Sequence, residues 1–145
     1  MAWTASGLYV LTWIDILDAT QLAINMSLTS HKIAMYNNTE TPNFSTETVY
    51  SATNEVSGTG YTAGGQVVVS PTVTESPAGS LMYDLGDQVW ASPTSVTARG
   101  AKLYADALLN ELICGVNFGA DFTSTAGTFT IQWAAAGVFA IDLTP

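Results

Sequence analysis

The sequence predicts a mainly β fold: a single antiparallel β-sandwich or jelly-roll-like domain over residues 1–145, with one or two short helices before residue 55. Three observations carry this reading. In Thr128-Phe-Thr-Ile-Gln-Trp133, Phe129, Ile131 and Trp133 fall on one face and Thr128, Thr130 and Gln132 on the other. That period-two alternation marks a strand with one buried and one wet face. Strand-like runs at 96–104, 112–118 and 137–143 share this character, and turn residues separate them. Shorter runs at 66–70, 72–76, 81–85 and 88–91 are bounded by glycine or proline, as strands in all-β domains are.

The last four runs are expected to form the antiparallel core. Leu112, Cys114, Val116 and Phe118 share a face of the second run, and a polar, Gly-containing turn follows it. Ala134 to Gly137 is short enough for a hairpin between the third and fourth runs, with Gly137 free to take positive φ. Phe118, Phe129, Ile131, Trp133, Phe139 and Ile141 are the expected buried residues. Upstream, Leu8, Leu11, Trp13 and Leu17 suit a helix within residues 5–17, capped by Thr4 or Ser6. The segment from Asp18 to Leu28 either extends that helix or begins a strand. His31 to Tyr36 reads as a strand, 37–43 as a loop, and 47–54 as a short helix capped by Thr46. Pro71 and Pro77 bound the run 72–76, which places it at a sheet edge or strand end.

Composition narrows the function classes. The chain has 145 residues, 48% of them hydrophobic, which excludes a disordered chain. Charged residues are only 10%, against roughly 25% in ordinary soluble domains. Three Lys and Arg face 12 Asp and Glu, a net charge of -9, so no footprint for nucleic acid exists. Such depletion suits a subunit largely covered by neighbours, or reflects a compositional bias of the source genome. No run of about 18 apolar residues is present, so no membrane span is predicted, and the first residues lack the basic start of a signal peptide.

The search for chemistry returns no catalytic set, no cofactor site and no metal site. Cys114 is the single cysteine and lies on an apolar strand face, the setting of a small buried hydrophobe. His31 is the single histidine, and its neighbours Ser30 and Lys32 suggest a surface position at a strand start. One Cys and one His cannot hold structural zinc. The loop 55–65 is glycine-rich, but no lysine follows its last glycine and a strand, not a helix, comes next. That excludes a phosphate-binding loop in favour of backbone geometry, with at least one of Gly58, Gly60, Gly64 and Gly65 expected at positive φ.

In order along the chain, His31-to-Tyr36, Asn54-to-Gly65, Leu85-Gly-Asp-Gln-Val-Trp90, Val96-to-Asp106, Val116-Asn-Phe-Gly119 and Gly127-to-Leu143 resemble a family of small bacteriophage virion proteins. The resemblance covers most of the chain from His31 onward, and Gly58-to-Gly65 and the closing 127–143 segment are its most specific parts. It implies a non-enzymatic structural protein of a tailed-phage particle, a capsid decoration (cement) protein that binds the major capsid protein as a homotrimer. It also implies manufacture in the host cytoplasm and residence on the capsid surface. A tail or head–tail connector component, or a carbohydrate- or protein-binding β-sandwich module, is the alternative. The N-terminus is richer in Trp, Leu and Ile than that family's pattern, so residues 1–17 are read as a docking arm or a helix. Trp3, Leu8 and Trp13 are the candidate interface residues there. Phe44 and Tyr61 join them as aromatics on the Asn-rich and Gly-rich loops.

Overall fold

Long strands dominate the computed structural model, which describes residues 3–18, 23–76 and 79–143. The elements are β1 (Gly7–Leu8), α1 (Val10–Asp18), β2 (Lys32–Tyr36), β3 (Gln66–Val67), β4 (Val69–Ser76), β5 (Ser80–Gly86), β6 (Gln88–Ala105), β7 (Glu111–Ile131) and β8 (Phe139–Asp142). One sheet runs β1-β7-β6-β2-β3 and the other β4-β5-β8; every pairing is antiparallel. The protein is therefore mainly β, with two antiparallel sheets and one short helix among the described residues, in a small sandwich-like arrangement. Residues 19–22, into which the helix was considered to extend, lie outside the described residues, as does Pro77.

The two runs expected at 112–118 and 128–133 are one strand, β7. The polar stretch between them does not turn the chain. It is absorbed as bulges against β6: β7 carries extra residues between Asn117↔Gly100 and Phe122↔Ala98, and again between Ser124↔Val96 and Gly127↔Thr94. Gly119 and Ala126 take the positive φ values of 82° and 50° that such insertions need. The expected turn is thus absent: β6 is long enough to pair with the whole segment and hold it in one strand.

The closing hairpin is also different from expectation. Gly137 does adopt positive φ (76°), and its N–H donates to the Ala134 carbonyl at 2.9 Å. The turn, however, carries the chain from one sheet to the other. β8 pairs with β5, through Leu81↔Ile141 and Tyr83↔Phe139, and not with β7. β4 lies at the edge of its sheet, as Pro71 within it requires. No helix forms at 47–54: Val49 bridges to Glu111 instead, and the Leu112 N–H donates to the Thr48 carbonyl at 2.7 Å.

The centre of the larger sheet is covered on both faces, which alternation within β2 makes visible. Ile33 and Met35 point into a cluster with Trp90, Val96, Ala101, Phe129 and Ile131. Further along that face, Leu103, Ala105, Ile113 and Cys114 meet Tyr83 and Leu85 of the smaller sheet. Ala34 and Tyr36 point the other way, into Trp3, Tyr9, Tyr104 and Leu112, under Phe44 and Tyr50. The N-terminal segment and the 37–55 loop thus form a third layer. Phe129 and Ile131 are buried as expected; Phe118, Trp133, Phe139 and Ile141 are only half-buried.

Candidate interaction surface

The N-terminal segment is integral to the fold. Trp3 is 1% exposed, its ring lying against Gly100 and Gly115, positions where any Cβ would collide with it. The edge of β7 then takes up the chain, with Gly7↔Gly115 and Leu8↔Cys114 paired and the Tyr9 N–H donating to the Ile113 carbonyl. Two facing glycines leave room for the Phe44 ring, which stands about 3.0 Å from where a Gly7 Cβ would be. Phe44 also packs on Tyr9, with ring centroids 5.1 Å apart. A detachable docking arm is therefore not what this segment forms. Trp3 offers no surface to a partner while the domain is folded, and Leu8 and Phe44 are half-buried in packing of their own.

Beyond β1 the helix takes over the task of satisfying β7. The Thr12 hydroxyl donates to the Leu112 carbonyl at 2.6 Å and the Trp13 indole N–H to the Ile113 carbonyl at 3.2 Å. Trp13 stands edge-on to Phe139, 5.6 Å between centroids. The Val10 N–H at the helix start donates to the Phe44 carbonyl at 2.8 Å. These contacts fix which way the helix faces. Thr12, Trp13 and Ile16 point inward; Val10, Leu11, Ile14 and Leu17 point out, with exposures of 48%, 39%, 49% and 81%. The outward residues sit at i, i+1, i+4 and i+7, one continuous aliphatic stripe. The helix therefore buries one face and leaves an aliphatic one in the open. Sequence reasoning marked the segment but chose its inward residues, Trp3, Leu8 and Trp13.

Carboxylates flank the stripe. Glu111 lies beside Asp15, and its carboxyl is held above the usual range by partial burial first and the Asp15 charge second. The Lys and Arg side chains form these ion pairs: Lys32 with Asp106 at 3.1 Å, Arg99 with Asp121 at 3.5 Å, and Lys102 with Glu40 at 2.6 Å and Glu47 at 2.9 Å. These three are the chain's entire complement of Lys and Arg.

Beneath the third layer lies a polar network that positions the 37–65 loop. The Lys102 ammonium is buried between those two carboxylates and over the Tyr36 ring, 4.8 Å from its centroid. Asn54 donates to the other Glu40 oxygen at 3.0 Å. Glu55 accepts from the Tyr50 and Tyr61 hydroxyls, each at 2.5 Å, and from the Gly64 N–H at 2.8 Å. Tyr61, read as a loop aromatic for a partner, is thus turned inward, and its oxygen also accepts from the Met35 N–H at 2.9 Å. Gly60, Gly64 and Gly65 take positive φ, as the geometric reading of this loop requires. The Gly64 N–H is held by the protein's own Glu55.

His31 is buried, contrary to the surface position expected for it. Its Nε2 lies 2.8 Å from the Asn25 carbonyl oxygen, and the turn at 25–28 covers it. Cys114 is buried too, and burial pushes its thiol up to about 12. Among the described residues no group of three or more His, Cys, Asp or Glu is arranged to hold a metal ion, and no helix is long and apolar enough to cross a membrane. No known family profile, curated protein or solved structure matches this chain.

Proposed function

We propose that this chain is a non-enzymatic structural subunit of a tailed-phage particle, a capsid decoration protein that docks in many copies on the major capsid protein as a homotrimer and stabilises the head lattice. Made in the host cytoplasm, it resides on the capsid surface. The observation that carries the reading is the outward stripe of α1. Four aliphatic side chains on a helix pinned by Thr12 and Trp13 are displayed without the flexibility of a loop. Burying such a side chain fully is worth about 1.5–3 kcal/mol relative to leaving it in water. A rigid stripe of this kind suits a permanent neighbour, and low surface charge suits dense packing against one. The sequence resemblance to small virion proteins points to the same class.

Binding only the assembled shell adds stability to that state alone, and many weak contacts act together over the particle. The test is to assemble shells from the major capsid protein with and without this chain and follow their thermal disassembly. Occupied shells should survive to a higher temperature, and mass spectrometry of purified particles should find the chain in many copies. Particles that carry it only in their tails would move the assignment to a tail or connector component. Particles without it would end the reading.

A further inference from the structure

The proposed function leaves open which surfaces join the copies to one another. We infer that the open edge of β7 in one subunit pairs with the open edge of β4 in the next, closing three copies head to tail in solution and leaving the α1 stripe for the shell. This rests on the homotrimer of that reading and names the surfaces that make it.

The β7 edge supplies the first half. β1 pairs with β7 only at Cys114 and Gly115, and among the described residues no strand lies on that side of β7 over 118–131. A groove of about 390 Å³ runs beside this edge. Every residue lining it belongs to β7 or directly follows it, and Phe118, Phe122, Phe129 and Ile131 give its apolar wall. Phe122 is 51% exposed there. A strand added to such an edge gains main-chain hydrogen bonds and sets alternate side chains into the groove. Edges that must stay single are blunted by charge or proline, and the run 122–141 carries neither. The bulges at Gly119 and Ala126 break the edge into short runs, which suits a short partner strand.

β4 supplies the second half. It is the open edge of the smaller sheet, eight residues long, with Val69 and Val73 exposed. Pro71 withholds one N–H, which leaves the stretch after it to pair. No charged residue lies between Glu55 and Glu75. At a net charge of -9, copies meet with least repulsion where neither strand carries a carboxylate, as over 122–131 and 69–74. The two edges also lie on opposite margins. β3 closes the larger sheet at the end away from β7, and it leads into β4 through Val68 alone. Contact between unlike margins is head to tail, the geometry that closes a ring of three.

The experiment uses the full-length chain. Analytical ultracentrifugation reads the mass of the wild type, of Phe122→Lys on the β7 edge and of Val73→Lys on the β4 edge. Circular dichroism and thermal melting of each control for folding, and Thr128→Lys, at another exposed position of the same groove, replaces Phe122→Lys if that variant does not fold. The wild type should run as a trimer. Each lysine variant should run as a monomer at the same concentration, its assembly weakened about 30-fold or more. Mixed in equal amounts, the two variants should form a one-to-one pair, because each keeps the edge that the other has lost. A wild type that stays monomeric, or a trimer that survives either lysine, would overturn the inference. So would a Val73→Lys chain that assembles while Phe122→Lys does not, which would assign pairing of β7 to β7. Co-sedimentation with shells of the major capsid protein separates this failure from that of the decoration reading. A monomer that binds shells keeps the decoration role without this trimer; a trimer that ignores them keeps the interface and removes the role.

Discussion

Replacing Lys102 with methionine tests the account of the third layer most directly. The ammonium sits 2.6 Å from Glu40 and 2.9 Å from Glu47, with side-chain exposures of 3%, 9% and 31% for the three groups. At an effective dielectric of about 20, each contact represents roughly 6 kcal/mol of gross attraction. Desolvation of the ions offsets most of it, so the net worth of the intact cluster is small. Removing the cation alone is another matter. It leaves Glu40 buried with Asn54 as its remaining side-chain donor among the described residues, and it sets Glu40 against Glu47. Breaking a buried pair in this way costs about 3–5 kcal/mol. That is a large share of the 5–15 kcal/mol by which domains are typically stable. Lys102→Met should therefore lower the urea midpoint strongly, at unchanged slope, with tryptophan fluorescence and circular dichroism in agreement. Lys102→Met/Glu40→Leu should recover most of the loss, because no buried charge then lacks a partner. Glu47 is a third exposed, so Glu47→Gln should cost about 1 kcal/mol or less. If Lys102→Met costs no more than that, or if the double variant is worse than the single, the buried-cation argument is refuted.

Three further outcomes follow from the same structure. Gly65→Ala should destabilise far more than Gly119→Ala in thermal melts: both have positive φ, but a Cβ at Gly65 would sit 1.9 Å from the Ile33 carbonyl oxygen, and nothing lies within 4 Å at Gly119; the second should cost only the roughly 1–2 kcal/mol of left-handed backbone strain. All six tyrosines are held above their ordinary value, by burial first in every case, with Tyr104 pushed up to about 12. A phenol raised in the folded state contributes stability that is fully present below its unfolded value of about 10 and is lost as pH rises through the folded one; absorbance at alkaline pH should show few tyrosinates forming near pH 10, then a cooperative step as the protein unfolds. The Cys114 thiol, buried and raised to about 12, should resist a thiol reagent in the native protein and react at once in urea.

Sequence reasoning recovered what local pattern encodes and missed what partner choice decides. Thr128 to Ile131 alternates in the fold as it does in the sequence, because this part of β7 has one covered face and one wet one. The strand Lys32–Tyr36 was likewise legible. Its double-sided burial was not: the residues that cover its second face, Trp3, Tyr9 and Phe44, come from distant segments whose docking no periodicity announces. The 119–127 stretch carried true turn residues, and only the length of β6 explains why they became bulges. For the candidate surface, the segment was identified and the face inverted. Trp13 looked like an anchor for a partner. Its indole N–H instead reaches the Ile113 carbonyl, and the smaller aliphatic residues beside it are left outside.

The N-terminal segment completes the larger sheet with strand residues a hundred positions downstream: Thr12 meets Leu112, and Trp13 meets Ile113. During synthesis this segment leaves the ribosome long before the strand it must join. β6 and β7, connected through Asp106-to-Asn110, can zip locally as soon as both are made, whereas Trp3, Tyr9 and α1 wait with their apolar surface uncovered. Loop closure over such a span is costly until the rest is in place, so this segment should be the last to settle. The helix whose outer stripe remains bare in the finished fold is thus also the part of the nascent chain longest in need of cover. The chain is most vulnerable to clumping at that segment until β7 has been made and Trp3, Tyr9 and Trp13 are covered.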